Sequence, residues 1–251
     1  MTEPAPLRVA LITGAARGLG RAIAEALAAQ GVALVLVDIL ADCLETTRAE
    51  LTTQGTNCTG FATDIAIKAN CTAAVAHALA TFGRLDILIN AAGLMRFNHA
   101  TDVPEDEFWR IMQVNAAAPF WLAQAAIPHL LASAGNIVNV LSQSALMGTA
   151  YIVPYSMSKA ALLQLTKSLA VEYADQPIRI NAVAPGAMMT EISTGTRPPA
   201  DADYAKIQRY SGTRPPAEAA EVAAVVAFIS SPAASAVHGA IWPADCGVTA
   251  G

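Results

Sequence analysis

The stretch Val9-Ala10-Leu11-Ile12-Thr13-Gly14-Ala15-Ala16-Arg17-Gly18-Leu19-Gly20, running on into Arg21–Gln30, decides the fold. An apolar run that ends in a glycine-rich turn and continues with a helical pattern reads as strand, loop and helix. The glycines permit a tight turn and close backbone approach, and the free N–H groups at the helix start attract a pyrophosphate. The spacing is G-x-x-x-G-x-G rather than G-x-G-x-x-G, so the loop taken alone also fits a purely architectural turn.

Outward from this unit the same alternation repeats. Strands are expected at Arg8–Thr13, Ala33–Asp38, Cys58–Thr63, Leu85–Asn90, Asn136–Leu141, Ile178–Ala184 and Ala240–Pro243. Helices are expected near 18–30, 41–54, 66–82, 104–132, 155–174 and 218–230. The strands are near-continuous apolar runs with little period-2 alternation, as in a parallel sheet with helices over both faces. The class is α/β, a single Rossmann-like doubly wound domain over residues 1–251. From Thr190 to Ala217 the rhythm breaks into Pro, Gly, Thr and Asp, with one short helical candidate at Tyr204–Tyr210. A long excursion of this kind reads as a lid, and a substrate-binding loop is expected at about 188–217.

Composition sets the limits. With 54% hydrophobic and 14% charged residues in 251, the chain can bury a large core, and disorder is excluded. Fifteen basic against 20 acidic residues give a net charge of −5, with no Lys/Arg cluster, so nucleic acid is not an expected partner. Residues 111–158 carry no Asp, Glu, Lys or Arg, but Pro119, Gln124, Pro128, His129, Gly135, Asn136 and Asn139 interrupt any membrane-length run. No membrane association is expected; the segment reads as buried core and subunit interface. Cys43, Cys58, Cys71 and Cys246 have neither C-x-x-C spacing nor a companion His at ligand distance, which argues against a metal site and against a disulfide framework. With no export signal at the N-terminus, reduced thiols in the cytoplasm are expected.

Two further features carry chemistry. Eighteen residues after Gly20 the second strand ends at Asp38, whose carboxylate can accept both ribose hydroxyl protons of an adenosine and would repel a 2′-phosphate. NAD(H) is therefore expected, although Arg17 could reach a 2′-phosphate and pulls toward NADP(H). In Tyr155-Ser156-Met157-Ser158-Lys159 the phenol and ammonium lie four residues apart, on one helix face. A free tyrosine titrates at about 10, so proton transfer near pH 7 needs roughly 4 kcal/mol of extra phenolate stabilisation. An adjacent lysine and a cationic ring can supply it. Thirteen residues before the tyrosine, a strand ends in Ser142, placed to hold the substrate oxygen, with Ser144 as the alternative.

Thr13-Gly14-Ala15-Ala16-Arg17-Gly18-Leu19-Gly20, Asn90-Ala91-Ala92-Gly93, Asn115, Ser142, Tyr155-x-x-x-Lys159 and Pro185-Gly186 together resemble the short-chain dehydrogenase/reductase family, in its order and spacing from about residue 8 to 250. The resemblance implies seven parallel strands in the order 3-2-1-4-5-6-7 and a homotetramer. It implies Tyr155 as general acid/base, Lys159 lowering its pKa and holding the nicotinamide ribose, Ser142 orienting the carbonyl or carbinol, and Asn115 shaping the active-site helix and a proton-relay water. Coenzyme contacts would come from Gly14, Arg17, Gly18, Leu19, Gly20, Asp38 and Ile39, and from Asp64 and Ile65 as an adenine clasp. Asn90, Ala91, Ala92 and Gly93 would line the adenine-ribose side, and Pro185, Gly186, Met188 and Thr190 would close over the carboxamide. The Asp245-Cys246-Gly247 ending departs from the family's more usual Asp-Gly-Gly and puts that turn in doubt.

The expected substrate wall is Leu94, Met95, Phe97, Leu146, Met147, Tyr151, Ile152, Met188, Met189 and Ile192, with Ser144 beside it. It is apolar and adaptable, which suits a hydrophobic secondary alcohol or its ketone rather than a phosphorylated or carrier-protein substrate. Arg96 qualifies this: Ala92-Gly93-Leu94-Met95-Arg96 also resembles dehydrogenases of cyclic dihydrodiol carboxylates, where Arg96 would pair with a carboxylate. A solvated loop arginine is the plainer reading. A cofactor-binding regulator without turnover would be expected to have lost Tyr155, Lys159, Ser142 or Asn115, and all four are present.

Overall fold

Residue by residue, Val9–Thr13 is buried along its whole length, as is Ile87–Asn90, which strands achieve only when both sheet faces are covered. The computed structural model describes residues 7–188 and 196–250. Among them the strands are β1 (Val9–Thr13), β2 (Ala33–Asp38), β3 (Cys58–Ala62), β4 (Ile87–Asn90), β5 (Asn136–Val140), β6 (Arg179–Pro185) and β7 (Ile241–Ala244). They pair in parallel in the order β3-β2-β1-β4-β5-β6-β7. The helices are α1 (Gly18–Ala28), α2 (Ala41–Thr53), α3 (Lys68–Phe82), α4 (Glu105–Met112), α5 (Ala118–Ala132), α6 (Val153–Glu172), α7 (Tyr204–Gln208) and α8 (Ala219–Ser230).

Successive strand residues point to opposite faces, and the core divides accordingly. Leu11, Val35, Leu88 and Ile137 pack with Val75, Leu122 and Leu130 on one side. Ile12, Leu34, Ile89 and Val138 pack with Ile23, Leu27 and Val226 on the other. Thr13 lies level with Val37 of β2 and Asn90 of β4. The strand order reverses between β1 and β4, and a crevice beyond the carboxyl ends at such a point is where doubly wound sheets bind ligands.

Two local findings refine the sequence reading. The expected helix over 104–132 is interrupted by a π-helical turn at Gln113–Ala117. Pro119 near the start of α5 has no N–H to give the Asn115 carbonyl four residues back, so the ladder widens there. After β7, Cys246 adopts φ 56, a left-handed conformation that favours glycine. The turn forms all the same, because Asp245 accepts from Gly247 N at 2.9 Å and Thr249 N at 3.0 Å. Among the described residues no helix is long and apolar enough to cross a membrane.

Candidate active site

The turn after β1 is shaped by what glycine lacks. A Cβ on Gly14, at φ +69, would lie 2.8 Å from the Ala92 Cα, and one on Gly20 would lie 2.0 Å from the Gly14 carbonyl oxygen. The loop can therefore press against the β4 exit only because both positions are bare. The Thr13 hydroxyl secures that exit by accepting from Ala91 N and Ala92 N, each at 3.1 Å. Helix α1 starts at Gly18 without a side-chain cap, so its first N–H groups remain for an anion. Asp38 accepts from Ala16 N at 3.0 Å with Oδ2 and from Leu40 N at 3.1 Å with Oδ1. Each oxygen keeps a lone pair for another donor.

At the far end of the crevice, α6 begins beside the end of β5. Lys159, almost fully buried, donates from Nζ to the Val140 carbonyl at 2.8 Å and lies 5.7 Å from the centre of the Tyr155 ring. Burial pulls its ammonium down to about 8. Burial likewise pushes the Tyr155 phenol above the ordinary tyrosine range, and a hydrogen bond with Ser142 works against that rise. Within the chain itself, then, desolvation outweighs any help that Lys159 gives the phenolate, and the expected lowering does not come from these side chains alone. Asn115, set inward by the π-turn, accepts from Leu94 N and donates to Leu94 O, both at 2.8 Å, and donates to Ser158 Oγ at 3.0 Å. Ser158 in turn donates to the Tyr155 carbonyl at 2.6 Å. One amide thus ties the β4 exit loop to the helix that carries the tyrosine.

A single cavity of about 610 Å³ joins the two ends, from Asp38 and Gly14 to Ser142, Tyr155 and Lys159. The short chain dehydrogenase family profile matches residues 8–201. The chain belongs to the short-chain dehydrogenase family. It is 34% identical over 247 residues to D-threitol dehydrogenase of Mycolicibacterium smegmatis, covering 96% of this chain and 93% of the relative. It is 35% identical over 240 residues to cyclohexanol dehydrogenase of an Acinetobacter species, covering 95% and 93%. A short chain dehydrogenase from Burkholderia cenocepacia, solved in complex with NADP, superposes with a TM-score of 0.87 at 32% identity, over 96% of this chain and 97% of that one. This dehydrogenase is accordingly an oxidoreductase of a family that binds nicotinamide coenzymes.

The predicted coenzyme residues within the described chain line the dehydrogenase's cavity, except Asn90. Asn90 lies beneath it, donating to Asn139 Oδ1 at 2.8 Å. Asn115 acts from behind the wall in the same way. Leu94, Met95, Arg96, Phe97, Ser144 and Ile152 line the substrate end, whereas Leu146, Met147 and Tyr151 do not. The 3₁₀ turn at Gln143–Ala145 ends with Leu146 N and Met147 N bonded back to the Gln143 carbonyl, which carries Met147 past the opening. Arg96 is exposed and donates to its neighbour's carbonyl, Met95 O, at 2.9 Å. Thr190, Met189 and Ile192 lie outside the described residues.

Other wall residues carry no sequence signal that would single them out. Arg110 on α4 pairs with Asp64 at 2.8 Å. Partial burial pushes the Asp64 carboxyl up, but the Arg110 contact and the Ala66 N–H outweigh it and hold the group below the usual carboxylate range. Gln143 donates to the Tyr210 carbonyl at 2.5 Å, and the Tyr210 hydroxyl donates to Ala150 O at 3.0 Å. These bonds, with Tyr151 OH accepting from Asp203 N at 2.8 Å, fasten the segment from 201 to 211 across the substrate end. The motif residues and much of the apolar wall are legible in the sequence, whereas these cross-loop partners are fixed by tertiary packing.

Proposed function

We propose that this dehydrogenase is NAD(H)-dependent and interconverts a small hydrophobic secondary alcohol and its ketone, with Tyr155 as general acid/base. The observation that carries this reading is the one continuous cavity with Asp38 at one end and Ser142, Tyr155 and Lys159 at the other. A nicotinamide dinucleotide, when bound, would take the hydride in its oxidised form, whose ring charge is positive beside the phenol, or give it in its neutral reduced form.

The chain supplies the rest. The bare loop at Gly14 and the uncapped start of α1 hold the pyrophosphate, and Asp38 accepts from the adenosine ribose. Asp64, Ile65 and Ile39 enclose the adenine, and Pro185, Gly186 and Met188 border the nicotinamide. Ser142 donates to the substrate oxygen. In oxidation Tyr155 takes the carbinol proton; in reduction it returns one to the ketone oxygen. Lys159 holds the ribose and keeps a cation one helical turn from the phenol. Leu94, Met95, Phe97 and Ile152 give the substrate an apolar surround. The related cyclohexanol dehydrogenase bears the name of such an alcohol.

Replacing Tyr155 by Phe should lower kcat by roughly 10²–10⁴-fold with NADH affinity nearly unchanged. A Phe variant with wild-type turnover removes the assignment. A second reading, NADPH-dependent carbonyl reduction, is favoured by Arg17, an exposed cation on the cavity wall, and by the NADP bound to the Burkholderia relative. The ratio of kcat/KM for the two coenzymes separates them: Asp38 predicts at least about a tenfold NADH preference, from like-charge repulsion of a 2′-phosphate. We also read the chain as one domain, with 188–217 as its substrate loop, working as a cytoplasmic homotetramer. Trp109, Phe120 and Met157, all exposed, offer apolar surface for subunit contacts.

A further inference from the structure

Arg110 has no part in the chemistry above, yet it reaches the cavity. From α4 its Nη1 donates at 2.8 Å to Oδ2 of Asp64, in the turn between β3 and α3. The two side chains stay open, 38% and 28% exposed, and both border the cavity. An ion pair this open adds little to stability. Its effect lies in the direction it gives the carboxylate.

The turn itself is held without Arg110. The Asp64 carbonyl accepts from Asn70 Nδ2 at 2.9 Å and from Ile67 N at 3.3 Å, and these local bonds set the main chain. The side chain is another matter. Ala66 N holds Oδ1 at 3.0 Å, but one bond leaves a carboxylate free to swing about its terminal torsion, which has no sharp preference. The bond to Oδ2 comes from a different element and fixes the plane. Helix α4 is a firm base for it, because it runs on into the π-turn where Asn115 grips the N–H and C=O of Leu94. Burial pushes the Asp64 carboxyl up, yet Arg110 and the Ala66 N–H outweigh it and keep the group below the usual carboxylate range. Near neutrality it is therefore an acceptor only, and with one donor on each oxygen it keeps a lone pair on each.

We infer that Arg110 is a positioning residue for the coenzyme: it holds the Asp64 carboxylate in place to accept the 6-amino group of the adenine, and so makes the pocket select an aminopurine over an oxopurine. The inference rests on the adenine placement proposed above and adds the residue that enforces it. A 6-amino group brings N–H donors to the carboxylate, whereas the 6-oxo oxygen of hypoxanthine brings only lone pairs, which a fixed carboxylate repels. A carboxylate free to turn can swing away from that oxygen, and the discrimination weakens.

The test compares the dissociation constants of NADH and reduced nicotinamide hypoxanthine dinucleotide, by fluorescence titration. The proteins are the wild type, Arg110→Met, Arg110→Lys, Asp64→Ala and the double variant of Arg110→Met with Asp64→Ala. The wild type should prefer NADH by about tenfold or more, the worth of a hydrogen bond to a charged group. The preference should fall by at least about threefold in Arg110→Met and vanish, to within about twofold, in Asp64→Ala. Arg110→Lys still offers one N–H to Oδ2 and should stay more selective than Arg110→Met. In the Asp64→Ala background, Arg110→Met should change NADH affinity by no more than about twofold. A merely structural pair would weaken both dinucleotides alike and leave the ratio unmoved. The inference is overturned if Arg110→Met keeps the wild-type preference, if Arg110→Lys is no more selective than Arg110→Met, or if Arg110→Met weakens NADH further in the Asp64→Ala background. An Asp64→Ala variant that retains the preference, or a wild type that has none, would instead strike the placement of the adenine against Asp64.

Discussion

At the coenzyme end the cavity wall is largely backbone, set by Gly14, Gly20 and the register of β1 against β2 and β4. At the substrate end it is held by side chains that reach between loops: Gln143 to Tyr210, Tyr210 to Ala150, Tyr151 to Asp203, and His99 to Asp201 at 2.9 Å. A backbone-built site has no slack, because a single added carbon displaces main chain. A site built from side-chain contacts comes apart one bond at a time, and each bond is individually modest.

The largest effect expected from this contrast is at Gly20. In Gly20→Ala the new carbon meets the Gly14 carbonyl at 2.0 Å, so the loop must move, and NADH affinity should fall by about a hundredfold or more, as for other severe backbone strain. Near-normal NADH binding by this variant, measured by fluorescence titration, would break the contrast.

Lys159, at the junction of the two ends, tests the electrostatics. Its ammonium is pulled down to about 8 in the folded chain, from 10.5. Between those pH values the unfolded chain binds more protons, so folding stability rises with pH, and below the lower value the whole burial penalty is present. Lys159→Met should abolish turnover yet gain on the wild type in Tm at pH 7, an advantage worth a few kcal/mol at most. That gain should shrink as pH climbs from 8 toward 10.5. A Tm difference that stays constant over this range contradicts a buried charge.

The smallest effect belongs to the clasp. Tyr151→Phe removes the acceptor for Asp203 N and should raise KM for alcohol by about three- to tenfold, one hydrogen bond's worth, with kcat and NADH affinity little changed. A hundredfold loss there would mean that the substrate end is as unforgiving as the coenzyme end.

Legibility in the sequence divides along the same line. The strands lie in near-continuous apolar runs, so their presence and, to within one or two residues, their boundaries can be read from residue type, whereas their order in the sheet is what the family resemblance implies; the glycine spacing marks the phosphate turn. Helix 104–132 is misread as continuous because the missing N–H of Pro119 acts on a carbonyl four residues earlier and leaves no gap in the apolar pattern. The Arg110–Asp64 pair spans 46 residues and the Gln143–Tyr210 bond spans 67. Neither separation has any local signature. Lys159 and Tyr155 are correctly paired by helical spacing, but spacing carries no information on burial, which governs both of their pKa shifts.

Asn115 grips position 94 entirely through its peptide group, N–H and C=O together. Every amino acid except proline presents that same group. Residue 94 can therefore be exchanged to reshape what the cavity admits while the anchor of the tyrosine helix stays whole, so that substrate range and structural integrity are separable at a single codon.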